Sequence, residues 1–143
     1  MLRYPLLHPP LLNALATAGH GSRVLLADAN YAHRTNTHHR AELVHLNLRP
    51  GLVTVDEVLA PVLSAIPVEA VHTMRPDEGG TPPVWAEYER LLGPDLPLRP
   101  LARQEFYDAC RSPELAVCVA TGDGRLYANV LLTIGFVPAP VEG

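Results

Sequence analysis

Apolar residues recur along the chain in two rhythms, one at helical spacing and one in short continuous runs, with proline and glycine between them. Residues 9–18 (PPLLNALATA) open on two prolines, carry apolar side chains at helical intervals and stop at Gly19, which predicts a first helix. Residues 24–28 (VLLAD) form a short apolar run ending in an acid, the pattern of a buried strand that delivers Asp28 at its carboxyl end. Residues 43–48 alternate like a half-buried strand, and Arg49-Pro50-Gly51 turns the chain. Thr54-Val55-Asp56-Glu57 has the spacing of a capping box and opens a helix through Ile66 that Pro61 must kink or end early. Residues 68–74 predict a third strand and residues 84–92 a helix. A proline-rich connection through Pro100 leads to a short helix over 104–111, then to two apolar strands, 115–121 and 126–133, around the turn Gly122-Asp123-Gly124.

This order, with no internal repeat, predicts an α/β fold with a central sheet in a single domain spanning 1–143. Ligands of open α/β sheets sit at the carboxyl ends of the strands, which is where Asp28 is expected.

Composition narrows the chemistry. The chain has 143 residues, 48% of them hydrophobic, and a formal charge of -4 spread without a basic run, so no nucleic-acid partner is expected. All eleven basic residues are arginine, which excludes mechanisms that need a lysine amine: Schiff-base aldolases, pyridoxal enzymes and P-loop kinases. Cys110 and Cys118 make no CxxC pair and read as structural thiols. No GxSxG elbow or GxGxxG fingerprint is present. Proline and histidine break the first eight residues before a signal-peptide core could form, and no run is long enough to span a bilayer, so a cytoplasmic protein without a membrane partner is expected.

Several polar residues stand out against this apolar background. Gly19-His20-Gly21 removes side-chain bulk from both sides of one imidazole at a helix end, where the imidazolium form is favoured and a substrate could approach closely. The same tripeptide also reads as a helix cap followed by a surface histidine. Asp28 reads as a ligand or orienting acid, or equally as a turn acid. Tyr127 and Asn129, two apart in an apolar strand, are predicted to share a face and look into one pocket; the alternative is that both are satisfied inside the sheet. Arg103 at a helix start could reach hydroxyl oxygens of a ligand or simply be solvated. Residues 30–40 (NYAHRTNTHHR) read as a functional loop, yet His33, His38 and His39 lack a helical H-x-x-x-H or a paired carboxylate, so no metal is expected.

Taken in register, Gly19-His20-Gly21, Leu26-Ala27-Asp28-Ala29-Asn30, Arg103-Gln104-Glu105-Phe106-Tyr107, and Thr121-Gly122 with Tyr127-Ala128-Asn129-Val130-Leu131-Leu132 resemble the D-ribose pyranase and L-fucose mutarotase family. The likeness runs over residues 11–137. It implies a compact α/β subunit with a mostly parallel sheet flanked by helices, assembled into rings that are often decamers. Sugar sites near subunit contacts and the absence of any cofactor are implied as well. It also implies His20 as the acid/base catalyst with Tyr127 at the other end of the proton path. Asp28, Arg103, Tyr127, Ala128 and Asn129 would then bind the sugar, and Asp28 would orient His20 or accept a sugar hydroxyl. Arg103 with Phe106-Tyr107 resembles the fucose branch, whereas Tyr31-Ala32-His33-Arg34 departs from the family pattern.

The expectation is therefore a cofactor-free mutarotase whose partners are a free monosaccharide and further copies of itself. Rival readings are a non-catalytic sugar-binding or transport-accessory protein, a purely structural oligomer subunit, and a metal-dependent isomerase built on the histidine-rich loop.

Overall fold

The computed structural model describes residues 1–142. Its elements follow in the order α1 (Pro9–Thr17), β1 (Arg23–Ala27), β2 (Glu42–His45), α2 (Val55–Ala65), β3 (Val68–Met74), α3 (Val84–Leu92), β4 (Leu98–Leu101), α4 (Arg103–Cys110), β5 (Leu115–Ala120) and β6 (Val130–Ile134). The strands make one sheet in the order β2-β5-β1-β6-β3-β4. β6 runs antiparallel to both of its neighbours, β1 and β3, while β1, β2 and β5 pair in parallel and so do β3 and β4. Five strands therefore point one way, and their carboxyl ends share one edge of a mostly parallel sheet.

The strands read as unbroken apolar runs because both faces of the sheet are covered. Val24 and Leu26 of β1 with Val130 and Leu132 of β6 face a core closed by α1, α2 and α3 through Leu11, Leu59, Trp85 and Tyr88. Leu25, Ala27 and Leu131 point the other way, onto Phe106 and Cys110 of α4 and Tyr31 of the loop after β1. Cys110 and Cys118 are both free and buried, and burial pushes their thiols up to about 11 and about 12. Among the described residues no helix is long and apolar enough to cross a membrane.

Three sequence expectations change. The connection through Pro100 contains a strand, β4, because an edge strand tolerates a residue without an N–H. Pro61 does not end α2, which runs on to Ala65 with Val55, Val58, Leu59 and Val62 buried. At its start, Glu57 accepts the Thr54 N–H at 2.8 Å and Asp123 accepts the Val55 N–H at 2.9 Å, so the first turn is secured from two sides. The last strand begins at Val130, not Leu126, since Tyr127 takes a left-handed φ of 57° that no strand accommodates.

Candidate sugar site at the carboxyl edge of the sheet

β1 carries Asp28 to the carboxyl edge, where the side chain is 5% exposed. Its backbone N–H donates to Asn129 Oδ1 at 2.8 Å, and its Oδ1 accepts the Asn30 N–H at 3.0 Å. Burial pushes the Asp28 carboxyl above its ordinary value; the Asn30 and Tyr31 N–H groups offset part of this, and the nearby Asp123 carboxylate adds to it. A carboxyl held this way suits a hydrogen-bonding partner for a hydroxyl. Because Asn129 Oδ1 is occupied by the Asp28 N–H, the Asn129 amide NH₂ is the group left to face a ligand.

Residues 126–129 reach the same edge by a route the sequence pattern hides. Trp85 Nε1–H donates to the Tyr127 carbonyl at 3.0 Å, and the Tyr88 hydroxyl donates to the Ala128 carbonyl at 2.7 Å. These two side chains of α3 hold the backbone in its turn, and Tyr127 and Asn129 come together through that turn and not through a shared strand face. Arg103, the first residue of α4, donates from Nη2 to the Tyr127 hydroxyl at 3.1 Å and lies 3.2 Å from Asp77 Oδ2. The guanidinium thus bridges the Tyr127 hydroxyl and the Asp77 carboxylate.

Asp28, Arg103, Tyr127 and Asn129 line a cavity of about 330 Å³, with Tyr31 and Tyr107 among its walls. Several hydrogen-bonding groups converge there beside aromatic rings, as a polyhydroxylated ligand requires. A larger hollow of about 500 Å³ opens on the far side of Leu126 and Tyr127, but Pro76, Pro82, Pro83 and Val84 make its wall chiefly apolar. The smaller cavity is the chemical candidate.

Not every expected residue arrives. Ala128 is fully buried, and its carbonyl is taken by Tyr88, so it contributes no side chain to the cavity wall. His20 lies at the opposite edge, where the Gly21 N–H donates to the carbonyl of Ile134 at the far end of β6. The five residues of β1 separate it from Asp28, roughly 17 Å of strand. The acid beside it is Glu69, whose Oε2 is 3.0 Å from His20 Nε2. The loop histidines do not converge either: His33 Nε2 meets the Asp28 carbonyl at 2.9 Å, and His38 stacks on His39 with centroids 4.3 Å apart.

Sequence reasoning missed the Trp85–Tyr88 buttress, although an indole and a phenol three apart on one helix face signal buried polar tips in need of partners. It also missed Asp123. This 1%-exposed carboxylate accepts from Val55 N–H and from Arg125, which also pairs with Asp56. Burial pushes Asp123 up, but Arg125 and the Val55 and Arg125 N–H groups outweigh it and leave the carboxyl below its ordinary value.

The sequence profile of the RbsD / FucU transport protein family matches residues 1–137. The chain belongs to this family. Within the RbsD / FucU family it is 32% identical to the fucose mutarotase of Danio rerio, over 92% of this chain and 90% of that one. It is 35% identical to the D-ribose pyranase of Paracidovorax citrulli, over 94% and 98%. A crystal structure of the fucose mutarotase of Streptococcus pneumoniae in complex with L-fucose superimposes with a TM-score of 0.79 at 27% identity, over 96% of this chain and all of that one.

Proposed function

We propose that this chain accelerates the interconversion of ring forms of a free monosaccharide, L-fucose-like in preference, by general acid/base catalysis without a cofactor. Its relatives bear mutarotase and pyranase names, so the enzyme class is isomerase. The observation that carries the reading is the convergence of Asp28, Arg103, Tyr127 and Asn129 on one cavity. Mutarotation opens a hemiacetal by moving a proton onto the ring oxygen and another off the anomeric hydroxyl. Two proton-handling groups must therefore flank the sugar, an arrangement that contributes roughly 10²- to 10⁴-fold.

Tyr127, with its hydroxyl against Arg103, is one of these groups. The other is His20, supplied by a second copy of the chain. The amino edge of one subunit docks on the carboxyl edge of the next, a heterologous contact that closes into a ring, decameric in the full assembly. Asp28 and the Asn129 amide hold sugar hydroxyls, and Arg103 with Phe106 and Tyr107 supports the fucose preference.

The test is saturation-transfer NMR on fucose, ribose, galactose and glucose. His20→Ala and Tyr127→Phe should each lose the accelerated exchange. A one-to-one mixture, dissociated and reassembled, should recover roughly a quarter of wild-type exchange, because one contact in four joins an intact His20 to an intact cavity. No recovery sinks the shared site, and undiminished exchange in His20→Ala sinks the catalytic assignment. Membership of a transport protein family favours one second reading, a non-catalytic sugar-binding accessory, which predicts binding with no acceleration for any sugar.

A further inference from the structure

The face of the sheet that carries α4 is covered over only part of its length. α4 runs from Arg103 at the carboxyl edge to Cys110, and on the carboxyl half of this face Leu25, Ala27, Met74, Cys118 and Leu131 are all buried. Toward the amino edge the same face is open: Arg23, Ala70, His72 and Thr133 are half-buried and Arg99 is exposed. A mostly parallel sheet ordinarily has both faces covered along their whole length, so this corner stands out.

Alternation along the strands fixes which side chains share the opening. Arg23 lies two residues before Leu25 on β1, His72 two before Met74 on β3, Arg99 two before Leu101 on β4 and Thr133 two after Leu131 on β6, so all four belong to the α4 face. Arg23 pairs with Thr133, and His72 pairs with both Leu131 and Arg99, so the two arginines flank one imidazole. Among the described residues neither Arg23 nor Arg99 forms an ion pair. Glu114 lies within electrostatic reach of Arg23, but its carboxylate accepts the Ser112 hydroxyl at 2.7 Å. Burial, followed by the charges of Arg23 and Arg99, pushes the His72 imidazole below its ordinary value, which leaves the ring neutral at pH 7. Its Nδ1 is buried without a hydrogen-bond partner, so no bond on that side fixes the orientation of the ring.

We propose that this corner of the sheet binds a phosphate-type oxyanion, held between the guanidinium groups of Arg23 and Arg99 over His72. Each guanidinium offers paired N–H donors whose spacing matches two oxygens of a phosphate, and the charge of the anion offsets the repulsion between two arginines brought to one opening. A neutral imidazole keeps one N–H to donate, and Thr133 adds a hydroxyl to the same face. Strands about 4.8 Å apart set the spacing of these groups, so the donors are placed before the ligand arrives. The anion comes either as inorganic phosphate or as the phosphate ester of a sugar, since both present the same oxygens. A free monosaccharide carries no charge for the pair to meet, which separates this place from the cavity at the carboxyl edge, whose own arginine is Arg103.

The experiment titrates the full-length assembled protein with inorganic phosphate at an ionic strength of about 0.15 M, following the His72 ring by NMR and the binding heat by calorimetry. Saturable binding at millimolar phosphate or below, with the His72 signals moved, is the expected result. R23A and R99A should each weaken it about tenfold or more, R99K should fall between R99A and wild type, and R103A should leave it unchanged. Sugar exchange should be the same in R99A as in wild type. Ribose 5-phosphate is the second probe: tighter binding than inorganic phosphate identifies a sugar ester as the source, equal binding identifies the free ion, and either supports the site. Three results overturn the proposal. Phosphate does not saturate the protein, or it binds R23A and R99A as it binds wild type, or its binding is lost in R103A and so belongs to the sugar cavity. If R23A fails to assemble, R99A decides, because Arg99 is exposed on an edge strand. If phosphate does not bind and R99A dissociates the assembly, the arginines serve a second copy of the chain and the oxyanion site is refuted.

Discussion

At the carboxyl edge of the sheet Asp28, Asn129 and Asp123 are 5%, 5% and 1% exposed, and neighbours from the same chain hold both oxygens of Asp123 and one oxygen each of Asp28 and Asn129. At the amino edge His20 and Glu69 are about half exposed, while Phe136 and Val137 stand 65% and 78% exposed beyond the end of β6. The first edge is finished within one subunit, because a buried carboxylate or amide without partners would cost more than the fold could offset. The second carries apolar surface and a histidine–carboxylate pair that the subunit itself does not enclose. Under the proposed shared site, folding completes one edge and association would complete the other.

Substitutions that confuse the two edges are the sharpest way to break this comparison, and the largest effect belongs to Gly122. A Cβ there would collide with the carbonyl oxygens of Leu52 and Arg49. Gly122→Ala should therefore destabilise by about 3 kcal/mol, seen as a lower urea midpoint together with weaker sugar binding. Asp123→Ala follows, at about 2–3 kcal/mol, since it orphans the Val55 N–H and leaves Arg125 with Asp56 alone. Tyr88→Phe removes one bond to the Ala128 carbonyl, about 1 kcal/mol, and should slow exchange by loosening the turn that carries Tyr127.

The two buried acids should respond to pH in opposite senses. Asp123 has a folded-state pKa below its unfolded one, so its contribution is complete above the ordinary carboxylate value and is lost as pH falls through the folded value. Asp28 has a raised folded-state pKa, so its contribution is greatest below the ordinary value and declines as pH rises through the window up to the raised one. Asp28→Asn should accordingly be more stable than wild type at neutral pH, with the gain gone by about pH 3, while losing affinity for sugar. Chemical denaturation at the two pH values, set beside a binding titration, checks all three parts. The smallest effect on the subunit itself is expected at the other edge. Phe136→Ser should change its folding stability by no more than about 0.5 kcal/mol yet weaken assembly in sedimentation. A large loss of subunit stability there would remove the contrast.

Much of the scaffold was legible before any coordinates. The apolar run ending at Asp28, the strand over 68–74 and the helix over 84–92 all lie where their patterns put them, because continuous apolar runs bounded by turn residues have few alternatives once both faces of a sheet are covered. Asp28 was legible as a candidate because an acid ends an apolar run, Tyr127 and Asn129 because two polar residues interrupt an apolar stretch, and Arg103 because it stands at a helix start. Pro100 hid β4, since the same residue forbids a central strand and permits an edge one, and edge or centre is a property of the whole sheet.

The sequence by itself determined which residues are apolar enough to form the sheet and which polar groups sit at its ends, since both follow from local spacing and from the penalty for burying an unpaired dipole. Only the tertiary structure decided that Tyr127 takes a left-handed turn pinned by Trp85 and Tyr88, that Glu69 bulges out to meet His20, and that His20 and Asp28 occupy opposite edges of one subunit. Those facts depend on contacts between residues 40 or more positions apart. Such contacts are set by strand order and register, which short-range periodicity does not encode.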